Sequence, residues 1–446
     1  MNAQAQTWLV AGLASGQGKT TVTAAWAQAA RRRGLRVRVF KTGADFLDPM
    51  VLAQASSASV RNLDDWLLGP ERCDALIAQA RTEADLVLIE GAMGLFDGTP
   101  SAADLAARLQ IPVAVVVDAS AMVQTFGAVV HGLAAWRREV RVCGAIANRV
   151  VSEAHGRCAI QGLREKSRMM QTGWMLADAD CTWPERHLGL VQPDDVPGIA
   201  ARLDRAADAL HWRDPSTAWP DVGGALAAER AALREEGAAH EEIPGCDGQA
   251  LRGVRIAVAR DAAFCFLYAD NLATLRALGA ELVFFSPLAD AALPACEAIW
   301  LPGGYPELHG AALARNEAMR SAIGAHCAQG RPLLAECGGM MSLFDEIIDR
   351  DGRAFRGFGI LHGYAAMTEG VVALSMQALD LPEGRLRGHT FHHSYSVTPE
   401  PVAARARCPQ GGSTAEAVHR LARVCASYVH WYFPSCPAAV AALFRP

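Results

Sequence analysis

Three stretches of the chain carry residue types that could do chemistry. The first is GLASGQGKTT, residues 12–21. Glycines there would let backbone N–H groups surround phosphate oxygens, a lysine would reach the β and γ oxygens, and a following threonine hydroxyl could face Mg²⁺. The residues in question are Gly16, Gly18, Lys19, Thr20 and Thr21. The usual GxxxxGK[ST] spacing would put its first glycine at position 13, but Leu13 stands there and Gly12 lies one residue earlier, so the loop is a variant. The second set is acidic. Glu90 closes DLVLIE (85–90), where a phosphate-loop site needs a carboxylate for the metal or its water. KTGADFLDP (41–49) groups Lys41, Asp45 and Asp48, and GAMGLFDG (91–98) adds Asp97. Each acid could be a solvated turn residue, but together they suit metal–phosphate chemistry.

The third stretch is PLLAECGGMMSLF (332–344), an apolar run, a small-residue turn and a helical run, with Cys337 at the turn. That is the layout of a nucleophile elbow, whose helix N-terminus would favour a thiolate and offer the Gly338 N–H to an oxyanion. Upstream, AIWLPGGYPELHG places Gly303 and Gly304 after another apolar run, where their backbone could complete the oxyanion hole. The best base for the thiol is His430 in ASYVHWYF (426–433), although a histidine on an apolar strand is often a satisfied structural residue.

These residues need elements to hold them. Apolar runs at 7–14, 36–40, 85–90, 112–118 and 143–150 alternate with helical patterns, which predicts a doubly wound parallel α/β sheet. A second series runs through 254–259, 281–285, 298–304 and 332–337. Between them the sequence turns to Pro, Gly, Ala and charge. The reading is a P-loop unit over 1–213, a partly helical linker over 214–251 and a second α/β unit over 252–446.

Composition narrows the partners. The chain has 446 residues, 51% hydrophobic and 20% charged, enough for two sizeable cores. Lys plus Arg number 42 against 47 Asp plus Glu, giving 42 − 47 = −5, which argues against a nucleic-acid or anionic-membrane surface. No positive n-region precedes the first apolar run and no membrane-length apolar stretch occurs, so the expected compartment is the cytoplasm. Twelve cysteines are scattered without a CxxC pair, as buried thiols would be.

Taken together, SGQGKTT, KTGADFLDP, RNLDDWLLG, IEGAMGLFDG, VVDAS, GAIANRV, PERHLGLV, DAAFCFLYADNL, LPGGYPELH, AECGGM, RGHTFHHS and SYVHWYF resemble, in this order, the cobyrinic acid a,c-diamide synthase family. PERHLGLV with AECGGM is the most discriminating pair. The resemblance implies a first domain similar to dethiobiotin synthetase, which uses ATP and Mg²⁺ to make acyl phosphates. It implies a second domain similar to class I glutamine amidotransferases, which release ammonia through a cysteine thioester. The expected partners are a corrinoid acid, L-glutamine and ATP, with no nucleic acid and no membrane; a second copy of the chain, as a homodimer, is a further candidate.

Position by position, the resemblance gives Gly16, Gly18, Lys19, Thr20 and Thr21 to the phosphate loop. Thr20, Asp48 and Glu90 go to the metal or phosphate, Asp45 and Asp97 to the reacting carboxylate, and Asn148 to adenine. Cys337 is the nucleophile and His430 its base. The chain departs from the pattern at Tyr432, where such amidotransferases usually place a glutamate, and at Thr390, where the family usually has one. Thr42 and Ala44 replace the usual valine and proline. His389, His392 and His393 could suggest a metal, but a polar strand near Cys337 accounts for them better. Other readings are amidation of another tetrapyrrole such as nickel sirohydrochlorin, and a P-loop ATPase switch or ligand-binding protein with an inactive amidotransferase unit.

Overall fold

The computed structural model describes residues 5–163, 171–181, 183, 185–186, 189–190, 196, 198–213, 246, 248–409, 411 and 414–446. The chain divides into two compact units, Met1–Ala238 and Ala239–Pro446. Of the expected linker, residues 214–245 lie outside the described residues. Its last residue, Leu251, is fully buried in the second unit's core with Val254 and Ile256.

In the first unit eight strands form one sheet, in the order Leu210–Arg213, Gln171–Leu176, Val142–Val150, Val113–Asp118, Gln6–Gly12, Leu86–Glu90, Val37–Thr42 and Arg61–Leu63. All neighbours are parallel except the first pair. Side chains on a strand alternate between faces, and here both faces are covered. Leu9 and Ala11 pack with Val87, Ile89 and Val115 on one side, while Trp8 and Val10 pack with Leu86, Leu88 and Val116 on the other. Burial on both faces is why these strands read as unbroken apolar runs. All five expected runs are strands. Gln171–Leu176 carries no such run. Its Gly173 lies under the neighbouring strand, where a Cβ would come 2.8 Å from the Trp212 ring. The strands Gln6–Gly12, Leu86–Glu90 and Val37–Thr42 are adjacent and parallel, so the phosphate loop and both acidic loops emerge at one edge.

The second unit is built on a seven-stranded sheet, Glu281–Phe285, Arg255–Ala259, Ala298–Leu301, Leu333–Glu336, Val424–Ser427, Ala417–Leu421 and Val402–Arg405. The first five are parallel and the last two antiparallel. A smaller antiparallel sheet joins Ala373–Leu381, Gly384–His392 and His430–Tyr432. The segment ASYVHWYF, expected as one strand, is therefore two. Val424–Ser427 ends the parallel ladder, the Ser427 hydroxyl accepts from the Val429 N–H, and the chain crosses to the smaller sheet before His430. Among the described residues no helix is long and apolar enough to cross a membrane.

Leu88 is fully buried in the first unit's central strand. Leu88→Ala should lower that unit's stability by about 2–5 kcal/mol, read as a lower midpoint in urea unfolding at unchanged slope.

Candidate active sites

In the first unit the phosphate loop closes with Gly16 and Gly18 at φ 77° and 82°, left-handed values that glycine adopts without strain. Gly18 caps the helix Lys19–Arg32, so Lys19, Thr20 and Thr21 form its first turn. A Cβ at Gly18 would collide with the Asn148 amide nitrogen. That nitrogen donates to the Gln17 carbonyl at 2.8 Å, and the Gln17 side chain accepts from the Asp118 N–H at 2.8 Å. Asn148 and Gln17 thus tie the loop to the ends of Val142–Val150 and Val113–Asp118. Lys19 Nζ donates to the Ala14 carbonyl at 2.8 Å, which lays the ammonium across the loop. Burial, then Lys41, lowers its pKa.

Beside the loop lies a buried charge cluster. Lys41 Nζ donates to Glu90 Oε1 at 2.7 Å and to Asp48 Oδ2 at 2.6 Å, with Asp45 Oδ2 at 3.7 Å. Thr20 Oγ1 donates to Glu90 Oε1 at 2.9 Å. Burial pushes Glu90 up to about 7 against the pull of Lys41. Burial and the Asp48 charge push Asp45 up to about 7. Asp48 is lowered, because Lys41 and the hydrogen bonds of its neighbours outweigh burial. For Lys41 itself the three carboxylates outweigh burial and raise it. Asp97 caps its own loop, accepting from the Gly94 N–H at 2.9 Å, and the loop is anchored to the phosphate loop by Leu95 N–H to Gly12 O at 2.9 Å. The cluster brings Thr20, Lys41, Asp45, Asp48 and Glu90 together, with Lys41 at its centre.

Residues of this site that sequence reasoning left unassigned are structural ties. Asn62, in RNLDDWLLG, donates to the carbonyls of Gly43 and Asp45, both at 2.8 Å, and so shapes the acidic loop. Thr42 accepts from the Ala92 N–H at 2.7 Å, tying the two acidic loops; the valine usual in the family could not.

Among the described residues no group of three or more His, Cys, Asp or Glu side chains forms a metal cage. Magnesium does not need one, since it keeps waters and shares substrate phosphates. The residues present fit that ion. Glu90 Oε2 is buried without a hydrogen-bond partner, and Thr20 Oγ1 lies against the other oxygen of the same carboxyl.

In the second unit Cys337 sits between Leu333–Glu336 and the short helix Gly338–Leu343, with φ 45° and ψ −110°. A side chain in that left-handed region is strained by about 1–3 kcal/mol, as at an elbow that holds its nucleophile in place. Gly304, Gly338 and Gly339 allow the turn to approach the LPGG loop: a Cβ on Gly338 would come 3.0 Å from Gly304 N. A Cβ on Gly303 would collide with His430 Cε1, so Gly303 lies directly against the His430 ring. The LPGG loop thus touches both the Cys337 turn and the His430 ring. Sequence reasoning expected the helix N-terminus to favour a thiolate. Instead, burial pushes the Cys337 thiol up; the Gly338 N–H opposes this, and Glu307, Glu416 and Glu336 add to it. Burial, then His389 and His392, lowers His430 well below the usual histidine value. Burial thus holds both the Cys337 thiol and the His430 imidazole toward their neutral forms.

The positions that depart from the family pattern are packed rather than empty. Tyr432 is buried edge-on against Tyr268, ring centroids 5.3 Å apart. Tyr268 OH shares a hydrogen bond with His389 Nδ1 at 3.1 Å, and His389 stacks on His430 at 5.1 Å. Thr390 Oγ1 donates to Glu416 Oε1 at 3.1 Å, and the same oxygen lies 3.1 Å from His392 Nε2. Glu416 thus brings a carboxylate to the place where Thr390 carries none. Met340, His392, Ser394, Glu416 and Tyr428 line a cavity of about 250 Å³ next to the helix that follows Cys337. Neither His389 nor Glu416 stands in a recognisable spacing with Cys337; their roles depend on strand pairing alone.

The fold and these two sites define a protein that joins a P-loop nucleotide-binding unit to a glutamine amidotransferase unit. Residues 8–190 match the CobQ/CobB/MinD/ParA nucleotide binding domain and residues 255–437 the CobB/CobQ-like glutamine amidotransferase domain. The chain is 52% identical over 438 residues to the hydrogenobyrinate a,c-diamide synthase of Stutzerimonas stutzeri, covering 98% of each. It is 51% identical over 439 residues to that of Pseudomonas aeruginosa, covering 98% of this chain and 97% of the other. To the cobyrinate a,c-diamide synthase of Herminiimonas arsenicoxydans it is 44% identical over 444 residues, covering 98% and 96%. The chain belongs to the cobyrinate and hydrogenobyrinate a,c-diamide synthase family. Of the discriminating PERHLGLV segment, Glu185–Arg186 pairs antiparallel with Gly189–Leu190, and its other residues lie outside the described residues.

Gly18→Ala should weaken ATP binding by about 10–100-fold, the strain of a left-handed alanine added to its clash with Asn148, as read by nucleotide titration. Glu90 gives a pH signature. Its folded-state pKa of about 7 lies above the ordinary value of 4.5, so the native state holds a proton that the unfolded chain has released. Stability therefore falls as pH rises through that window. Glu90→Gln removes this fall, so the variant's urea midpoint should gain on that of the natural chain between about pH 5 and about pH 8.

Proposed function

We propose that the protein is a glutamine-hydrolysing carbon–nitrogen ligase that converts the a and c carboxylates of cobyrinic or hydrogenobyrinic acid to amides in cobalamin biosynthesis. The observation that carries this reading is kinship at 52% identity, over 98% of both chains, with a hydrogenobyrinate a,c-diamide synthase. The side chains that such chemistry needs accompany it in both units. The proposed organisation is an ATP-dependent amidoligase domain over 1–213, a linker over 214–251 and an amidotransferase domain over 252–446.

A carboxylate oxygen is a poor leaving group, so each acid must first be activated. The phosphate loop, with Gly16, Gly18, Lys19, Thr20 and Thr21, would hold the ATP phosphates, and Asn148 would stand at the adenine. Asp45 and Asp97 would orient the substrate carboxylate while its oxygen takes the γ-phosphoryl group and ADP leaves. Mg²⁺, held by Thr20, Asp48 and Glu90, would neutralise developing phosphate charge. In the other unit Cys337 Sγ would attack the glutamine amide carbon as His430 takes the thiol proton. Backbone N–H groups of Gly303, Gly304 and Gly338 would receive the oxyanion. The imidazolium returns that proton to the leaving amine, ammonia departs, and water cleaves the thioester to glutamate. Ammonia then displaces phosphate from the acyl phosphate. Each turn consumes one ATP, one glutamine and one water per amide. A nucleotide switch would have no use for the Cys337 elbow, which disfavours that alternative.

Cys337→Ser should abolish glutamine-dependent amidation yet leave the ammonia-dependent rate within about twofold of the natural chain. Mass spectrometry of the product from cobalt-containing and cobalt-free ring acids should show two amides per ring. Equal loss with both nitrogen donors, or no amide on either ring, would refute the scheme.

A further inference from the structure

The AECGGM turn contains a buried acid that this chemistry leaves idle. Glu336, the residue before the nucleophile, is 1% exposed. Its Oε1 accepts from the Trp431 N–H at 2.9 Å and its Oε2 from the Trp300 indole N–H at 3.0 Å. Trp431 directly follows the base. One residue along, the Cys337 N–H donates to the Ser427 carbonyl at 2.8 Å. These bonds bracket His430, because residues 336 and 337 grip residues 431 and 427, and the crossing between the two sheets is pinned at both ends to the nucleophile turn.

No backbone ladder could do this at the Trp431 end. The strand that pairs with Leu333–Glu336 stops at Ser427, and His430–Tyr432 pairs in the smaller sheet with Arg387–His389. The grip on Trp431 is two-sided, since its carbonyl accepts from Asn271 Nδ2 at 2.7 Å. Trp300, the other donor to Glu336, is fixed by its ring contact with Phe433, centroids 4.7 Å apart. Packing alone does not call for an acid here. Burial pushes Glu336 up to about 8 despite both bonds, and an apolar side chain of similar length would fill the site without that desolvation.

We propose that Glu336 is a positioning residue for the thiol–imidazole pair, holding the Trp431 amide so that His430 stays in register with Cys337. This rests on the glutaminase reading of that unit. The test measures glutamine hydrolysis, ammonia-dependent synthesis and thermal unfolding for Glu336→Met and Glu336→Gln. The methionine variant should lose about 10–100-fold in glutamine kcat, with KM for glutamine within about twofold, because misplacement of about an ångström is felt in the reacting geometry rather than in binding. Its ammonia-dependent kcat should match that of the natural chain. The glutamine variant, which keeps an acceptor oxygen, should lose less. A methionine variant with undiminished glutamine kcat would overturn the proposal. So would a glutamine variant that falls as far, or parallel loss of the ammonia rate and thermal stability in both. A natural chain with no glutaminase activity would instead sink the functional reading.

Discussion

The ammonium of Lys41, buried between Glu90 and Asp48, is the constraint around which the nucleotide-binding unit is arranged. A carboxylate as deeply buried as Glu90 is tolerated only with partners, and it has two on one oxygen, Lys41 and Thr20. That pairing spans the central strand, the neighbouring strand and the first helical turn of the phosphate loop. Yet the neutralisation is incomplete. Lys19 and Lys41 face Asp45, Asp48, Glu90 and Asp97, all of which Lys19 senses except Asp45, itself beside Lys41. Two lysines stand against four acids here, and one buried oxygen of Glu90 has no hydrogen-bond partner.

The amidotransferase unit solves the opposite problem. In it burial rather than charge sets the groups around Cys337, raising the Cys337 thiol and lowering the His430 imidazole. Position 432 shows how far that substitution goes. The His430 ring stacks here on the flat face of His389, itself held by Tyr268, and the hydroxyl-bearing ring of Tyr432 packs against Tyr268. A carboxylate at 432 would stabilise an imidazolium; stacked neutral rings do not. With no such carboxylate, burial first, then His389 and His392, lowers His430.

Much of this was legible in the sequence because it follows local rules. The parallel strands announce themselves as apolar runs, and the phosphate loop, the acids at strand ends and the Cys337 turn lie within a few residues of those runs. What was not legible depends on pairings between distant segments. Glu416 reaches Thr390 and His392 only because the start of Ala417–Leu421, which it precedes, and the His392 strand converge on one cavity, and Asn62 reaches the Asp45 loop only through a three-residue strand. The break after Ser427 was hidden for another reason. An apolar run gives no sign of leaving one sheet for another when both destinations are buried.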